Sequence, residues 1–377
     1  MIIVIDATNI GGGGGVTHLK EILNSYNLPN CITIIAQKKV LAQIPDYHFL
    51  TKASHNLLEK TLIHRLYYHF FIIDSIIPKN AVVFSITGDF LGGHQPVVSM
   101  SQNMLLYERD IWKEIKQLKE ILRFWLNYQK QKRSFRNSKG IIFISEYAKN
   151  YISKQLDLKG KQIRVIHHGI SQRFIKEIKI QKTISEYSFT NPFKFIYVST
   201  IHVYKNQWNV IEAIAKLRKE GYPVELDLVG GVIFQPAGKQ LIDSINKVDS
   251  LQNFIHYHGH VPYEKIDVFY KNADAIIYAS TCENMPNILI ESMASGVPIA
   301  CSNKQPMPEF LENGGFYFNS KSIDSIEEAL KQLLQNSEAR EEMAKNNIDR
   351  AKKYSWTKTS NQTFEFITEV YKNYKNV

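Results

Sequence analysis

One block of the chain carries the densest chemistry: Ser280-Thr-Cys-Glu-Asn-Met-Pro-Asn-Ile-Leu-Ile-Glu291. The apolar run Ala275–Ala279 precedes it, and the segment Ser292-Met-Ala-Ser-Gly-Val-Pro298 follows, so it joins a strand end to a helix. A carboxylate accepts hydrogen bonds from two adjacent hydroxyls. Glu283, in the loop, and Glu291, over a turn into the helix, therefore suit one glutamate on sugar hydroxyls and the other on a ribose diol. Pro286 fits the first helical turn, where its missing N–H would have no partner anyway. The amides of Asn284, Met285 and Asn287 then fall at the helix start, where unpaired donors are expected. A second group is Ser199-Thr-Ile-His-Val-Tyr-Lys205-Asn206, after another strand. Lys205 stands at or near a helix start, and its ammonium together with the helix dipole suits a diphosphate. A third is the run Gly11–Gly15, followed by Val16, Thr17 and His18. Glycines between a strand and a helix let a ligand approach the backbone, and the first amides of the helix attract an anion. The dinucleotide fingerprint fails here: Val16 holds the place of its last glycine, and the second strand ends in Gln37-Lys38-Lys39 with no acid for a ribose.

These groups need elements to position them. Strands are expected at Ile2–Ala7, Ile32–Ala36, Val82–Ser85, Val97–Met100, Ile141–Ser145 and Val165–His167, with helices at Thr17–Tyr26, His55–Ile73, Leu105–Lys130 and Glu146–Leu156. The polar, weakly periodic stretch Ser171–Pro192 reads as a linker. Alternation then restarts, with strands at Phe195–Ser199, Glu225–Gly230, Phe254–Tyr257, Ala275–Ala279, Pro298–Cys301 and Gly315–Phe318. Helices there are expected near Gln207–Glu220, Lys239–Val248, Tyr263–Asn272, Asn287–Ser295, Ser322–Gln335 and Ala339–Lys353. Strands alternating with helices predict an α/β fold of two doubly wound parallel-sheet domains, 1–175 and 193–356, facing a central cleft. A last helix, 357–377, is expected to cross back to the first domain.

The assembled pieces resemble family 4 of the retaining GT-B glycosyltransferases. The likeness rests on the glycine run, IIFISEYAKNYI before IRVIHHGI (Ile163–Ile170), YVSTIHVYKNQ with Lys205, LDLVGG (Leu226–Gly231), HYHGHVP (His256–Pro262), CENMPNILIESMASGVP, and YSW (Tyr354–Trp356) before the last helix. The glutamate block is the most specific of these. The resemblance implies an acceptor-binding first domain and a nucleotide-sugar-binding second one. It implies that Glu283 contacts the donor sugar, Glu291 the ribose and Lys205 the diphosphate, with Gly12, Gly13 and Gly14 capping the phosphates. It places Thr200, His260, Asn284, Met285, Pro286 and Asn287 around the donor. Transfer would proceed with retention, by same-face attack in which the leaving phosphate oxygen takes the acceptor proton. The acceptor would be a glycan or a polyprenyl-diphosphate-linked sugar in O-antigen, capsule or lipopolysaccharide synthesis. A sugar-nucleotide epimerase of the same fold and a non-catalytic sugar-nucleotide-binding subunit are the alternatives.

Two positions depart from the family. Thr200 stands where the family often has an arginine, leaving Lys304 or Arg173 to supply charge. Ser101-Gln102-Asn103 stands where it often has a histidine by the sugar; Gln102 or Asn103 can hydrogen-bond there, with His18 and His94 as substitutes. No cofactor and no metal are expected: the chain has no D-x-D and no H-E-x-x-H, and His167-His168 and His256, His258 and His260 read as strand-end residues.

Bulk properties fit a two-domain chain. Its 377 residues exceed one ordinary core, and the formal net charge of +10 invites an anionic partner. Three cysteines, without metal-type spacing, suit a reducing compartment, with Cys31 and Cys301 read as core residues. The opening MIIVIDATNI lacks a signal peptide's basic start and reads as a buried strand. Lys113–Lys139 holds nine basic residues and two acids, with Trp112, Ile115, Leu118, Ile121, Leu122, Trp125 and Leu126 at helical spacing. That pattern predicts either a helix packing this stripe on its own domain or docking on an anionic membrane face; nucleic acid is not expected as a partner. A cytoplasmic location, peripheral to the membrane, follows as the expectation.

Overall fold

The computed structural model describes residues 1–24, 29 and 31–376, and the chain divides into two compact units. The first comprises Met1–Trp112, Lys116–Gly169 and Ser355–Val377; the second comprises Lys113–Ile115 and Ile170–Tyr354.

In the first unit seven strands form one sheet: β1 (Ile2–Asp6), β2 (Ile32–Ile35), β3 (Leu50–Ala53), β4 (Ala81–Ser85), β5 (Val97–Ser101), β6 (Gly140–Phe143) and β7 (Gln162–Val165). Their order is β3-β2-β1-β4-β5-β6-β7, and every pairing is parallel. A parallel sheet is covered on both faces, which is why β4, β5 and β6 are buried at every residue. The edge strands differ. β3 reads LTKA and β7 reads QIRV, and both are only partly buried. Polar residues are tolerated at an edge, so apolar pattern alone misses β3 and places β7 three residues late.

The expected 17–26 helix starts earlier, as Gly14–Leu23; Tyr26 lies outside the described residues. The expected 55–73 helix is three pieces, Asn56–Glu59, Leu62–Phe71 and Ile73–Ile76. The expected 105–130 helix breaks before Leu118 and resumes as Leu118–Asn137. Its buried face is Phe124, Tyr128, Gln131, Ser134 and Phe135, whereas Leu118, Leu122, Trp125 and Leu126 of the expected packing stripe are exposed. The final helix, Trp356–Lys375, belongs to this unit. Ser360 donates to the Ile22 carbonyl at 2.6 Å and Tyr371 to the Asn80 carbonyl at 3.0 Å. A Cβ on Gly140 would stand 2.7 Å from Val370, so this helix packs where β6 has no side chain.

The second unit holds β8 (Phe193–Val198), β9 (Val224–Val229), β10 (Ile255–Gly259), β11 (Ala275–Tyr278), β12 (Ile299–Ser302) and β13 (Phe316–Phe318). The order is β10-β9-β8-β11-β12-β13, again parallel throughout. Residues 171–192 are no free linker. Lys176 and Lys179 donate backbone N–H groups to the Ala294 and Gly296 carbonyls, and the buried Arg340 donates to Gln181 at 2.9 Å. Gly296 has φ +71°, and a Cβ there would stand 2.5 Å from the Glu177 carbonyl oxygen, so glycine admits this strap. The strap's partners are backbone groups distant in sequence, which no periodicity reports. Cys301 is buried in β12, but Cys31, expected in a core, is exposed just ahead of β2.

Candidate functional site

In an open parallel sheet, the chain winds outward one way and then restarts in the other, and ligands bind beyond the strand ends at that switch point. In the second unit the switch lies between β8 and β11. Lys205 follows the first of these strands and Glu283 the second.

The local chain explains why both side chains meet there. After β8 a short turn, Val203–Lys205, precedes the helix Gln207–Lys219. Asn206 between them is left-handed (φ 53°), a conformation asparagine tolerates better than most residues. Its amide nitrogen donates to the Tyr204 carbonyl at 3.0 Å and the Ala279 carbonyl at 2.9 Å. The Thr281 amide also donates to the Tyr204 carbonyl, at 2.8 Å. The Lys205 turn is thus tied to the loop after β11. The Lys205 ammonium, only 5% exposed, forms an ion pair with Glu283 Oε1. Ser280 and Tyr278 hydroxyls donate to that same oxygen at 2.5 and 2.8 Å. Three donors converge on Oε1, and Oε2 receives none of them. Burial, and then the Glu283 carboxylate, hold the Tyr278 hydroxyl well above its ordinary value, so it remains a donor.

Glu291 lies in the helix Asn287–Ala294, buried at 6% exposure. Its Oε1 accepts from the Tyr263 hydroxyl at 2.6 Å. Burial raises its pKa to about 7, opposed by that hydrogen bond and by the Arg173 guanidinium. Arg173 stacks over the Tyr263 ring at 4.0 Å and donates to the Tyr263 carbonyl at 2.5 Å. Arg173, considered as a replacement for the missing arginine, therefore stands by Glu291. Lys304 is exposed after β12.

Around this centre the other expected residues are distributed as follows. Thr200 is half-buried, and its carbonyl accepts from Gln207 at 3.1 Å. Gly230 (φ +148°) packs so closely on the Ser199 carbonyl that a Cβ would stand 1.8 Å from its oxygen; Gly231 faces the His260 side chain. His260 itself is exposed after β10. Asn284, Met285 and Pro286 are buried. Pro286 caps the helix rather than entering its first turn. The expectation of unpaired amides needs correcting at Asn287, whose N–H donates to the Met285 carbonyl at 3.0 Å; Asn284 and Met285 each take part in an interaction within the chain. A tight turn ahead of the helix uses groups that an ideal helix start leaves open. Tyr263, Tyr278 and Ser280 escaped the sequence reading. Only Ser280, heading the glutamate block, stood beside a visible signal.

The first unit places its glycine run at the equivalent position, after β1 and beside β4. Gly12 (φ +154°) and Gly13 (φ +60°) adopt backbone conformations that favour glycine, and Gly13 opens the helix without a side-chain cap. A Cβ at Gly11, Gly12, Gly13 or Gly14 would meet nothing within 4 Å. Beneath the run lies a buried network: Asp6 Oδ1 accepts from Thr8 Oγ1 at 2.6 Å, which contacts His69 Nε2 at 3.0 Å.

Asn103 and Gln102 are engaged in the fold. Asn103 is exposed, and its Oδ1 accepts from the Leu105 N–H at 3.0 Å, closing a short turn. Gln102 Nε2 contacts His18 Nδ1 at 2.8 Å and the Ile86 carbonyl at 2.9 Å. His18 packs its ring on His168 and Trp356, and burial followed by His168 holds its pKa well below the usual value, so it stays neutral. His94 bonds the Ala81 carbonyl at 2.9 Å. His258 pairs with Asp227 at 2.5 Å, away from any cluster: among the described residues, no three His, Cys, Asp or Glu side chains gather as a metal site.

Residues 179–350 match the family described as Glycosyl transferases group 1. The O-antigen chain mannosyltransferase B of Escherichia coli is 24% identical over 239 residues, covering 61% of this chain and 60% of the relative. The O-antigen chain mannosyltransferase RfbU of Salmonella typhimurium is 23% identical over 211 residues, covering 55% and 54%. The chain thus spans little more than half the length of these curated relatives. The solved structure of Anabaena HepE in complex with UDP and glucose superposes with a TM-score of 0.72 at 17% identity, covering 98% of this chain and 100% of that one. At that identity the likeness concerns the fold, which is GT-B.

Proposed function

We propose that this chain, whose residues 179–350 match the family described as Glycosyl transferases group 1, is a retaining hexosyl- or deoxyhexosyltransferase. It moves a sugar from a nucleotide diphosphate to a glycan or polyprenyl-diphosphate-linked acceptor in surface-polysaccharide assembly, on the cytoplasmic side. The observation that carries the reading is the buried Lys205–Glu283 pair across the β8–β11 switch point.

The pair suits a donor that replaces one ionic partner by another. Lys205 turns its charge to the leaving diphosphate, and the Glu283 carboxylate accepts hydroxyls of the transferred sugar. Glu291, about one turn into the helix Asn287–Ala294, accepts from the ribose diol. The acceptor oxygen forms its bond to the anomeric carbon on the face from which the phosphate oxygen departs, and that phosphate oxygen takes the acceptor proton. No metal ion enters this scheme, since Lys205 and the helix start supply the positive field. The glycine run offers helix-start amides to an anion in the first unit.

The test is a thermal-shift screen of nucleoside diphosphates and their sugars, with guanosine and uridine mannosyl and glucosyl donors first, because the two curated relatives are mannosyltransferases and HepE was solved with UDP and glucose. A saturating ligand stabilises by about 2.7 kcal/mol at 100 times its Kd. NMR of the product from an α-linked donor then reads the mechanism: an α-linked product supports retention, and a β-linked one overturns it. Donor isomerised without acceptor marks an epimerase; binding without turnover marks a non-catalytic subunit.

A further inference from the structure

The helices Leu62–Phe71 and Leu118–Asn137 of the first unit enclose a groove of about 510 Å³. Leu62, Leu66, Phe70, Leu91, Leu122 and Leu126 line it. Four bases, Lys119, Arg123, Lys130 and Arg133, stand around it against one acid, Glu120. Arg123 pairs with Glu120 at 2.6 Å, and the Arg133 guanidinium lies 5.4 Å from the Phe70 ring centre, its stem covering apolar surface while its charge stays in water.

The apolar surface does not stop at the groove. Ile63 is 77% exposed, Phe71 71% and Leu118 82%, and none of them lines it. Large side chains this open suit insertion into a plane, whereas a partner helix would be held by residues facing inward. Tyr67 and Trp125, both exposed on the same two helices, have the amphipathic rings that concentrate at the boundary of a bilayer. Among the described residues no helix is long and apolar enough to cross a membrane.

We propose that this two-helix face docks on an anionic lipid bilayer, with Ile63, Phe70, Phe71, Leu118 and Leu122 entering the interface and Lys119, Arg123, Lys130 and Arg133 binding lipid phosphates. The inference uses no residue of the donor site, and it places the proposed transfer beside a lipid-linked acceptor. Burial of apolar surface supplies depth, and the basic rim supplies selectivity for negative charge.

Co-sedimentation of the full chain with vesicles tests it. The protein is expected to sediment with mixed phosphatidylglycerol–phosphatidylcholine vesicles, far less with phosphatidylcholine alone, and less again as salt rises. The double variant Arg123→Gln, Arg133→Gln should bind the mixed vesicles about 25-fold more weakly, at about fivefold per charge. Ile63→Ser with Phe71→Ser should lose vesicle binding while keeping the parent's melting temperature and its nucleotide binding. Equal binding to both vesicle types, or variants that sediment like the parent, overturns the proposal. So does a concentration-dependent dimer that Ile63→Ser with Phe71→Ser dissociates without any vesicle binding, since the face then belongs to a second copy.

Discussion

The same topological position occurs twice in this molecule, and the two copies are equipped in opposite ways. At the switch point of the second sheet, between β8 and β11, charged side chains are buried against one another: Lys205 on Glu283, Glu291 under Tyr263. At the switch point of the first sheet, between β1 and β4, the chain offers four exposed glycines, Gly11 to Gly14, with no side chain at all, over the buried Asp6–Thr8–His69 network. A parallel sheet creates a crevice wherever its winding reverses. What the crevice can recognise depends on what the two adjoining loops place in it. Paired charges with fixed partners discriminate among hydroxyls and phosphates by geometry; bare amides accept any anion that reaches them.

The largest expected effect is on the charged site. Lys205→Ala should lower turnover of a nucleotide sugar about 100- to 1000-fold, the range for losing one donor to developing charge. Glu283→Gln should be similarly severe, with nucleoside diphosphate binding largely kept because the diphosphate partner remains. Release of nucleoside diphosphate in steady state measures both. Parent-like turnover in Lys205→Ala would reduce the ion pair to a structural contact and erase the contrast with the glycine site.

Next in size is the pH dependence of Glu291. Its carboxyl is raised to about 7 by burial, so the ionised acceptor form prevails only above that pH. A nucleotide sugar, whose diphosphate does not titrate here, should bind about tenfold more weakly at pH 6 than at pH 8. Glu291→Gln should flatten that profile, and Tyr263→Phe, which removes a bond that lowers the pKa, should move its midpoint upward. The sign for stability is opposite. The unfolded carboxyl ionises near 4.5 and the folded one near 7, so this group's contribution is fully present below 4.5 and is lost as pH rises to 7. Calorimetric melting of parent and Glu291→Gln from pH 4 to 8 reads this: the variant should gain on the parent as pH rises from about 4.5 to about 7, and no further above that. Identical profiles mean that Glu291 is not the titrating group.

The smallest effects distinguish the glycines. Gly13→Ala must hold φ +60° with ψ −139°, outside the left-handed helical region, at a cost of about 1–3 kcal/mol in urea denaturation. Gly14 lies inside the helix with empty space around it, so Gly14→Ala should leave stability level or raise it by up to about 1 kcal/mol. A loss of nucleotide affinity in Gly14→Ala without loss of stability would sharpen the comparison, because only a ligand pressed against the loop feels that methyl group. Unchanged affinity leaves the run a turn and no more.

Much of this was readable along the chain because the determining interactions are local or periodic. Fully buried parallel strands must be continuous apolar runs, so β1, β4, β8 and β11 could be found by composition. The Glu283–Glu291 spacing across a strand-loop-helix junction fixed which loop to watch. Tyr263 was not legible, because it reaches Glu291 from a different loop, and nothing in Pro262-Tyr263-Glu264 announces the meeting. Nor was the orientation of the Leu118–Asn137 helix. Its leucines and its phenylalanine and tyrosine form two apolar stripes, and only packing against β5 and the Met104–Leu106 turn chose Phe124 and Tyr128 for the inside. The place of Asn103 after β5 predicts a sugar contact, but its Oδ1 accepts from the Leu105 N–H two residues on.

The residue order by itself determined two windings of strand and helix, a lysine after β8 and two acids after β11, because backbone pairing and burial act on patterns that a linear reading contains. The tertiary structure alone decided that Lys205 and Glu283 neutralise each other, that Glu291 is buried enough to titrate near neutrality, and that one apolar stripe of a basic helix faces outward. Those outcomes depend on which distant groups share a low-dielectric space, and distance in space is the quantity the order of residues does not carry.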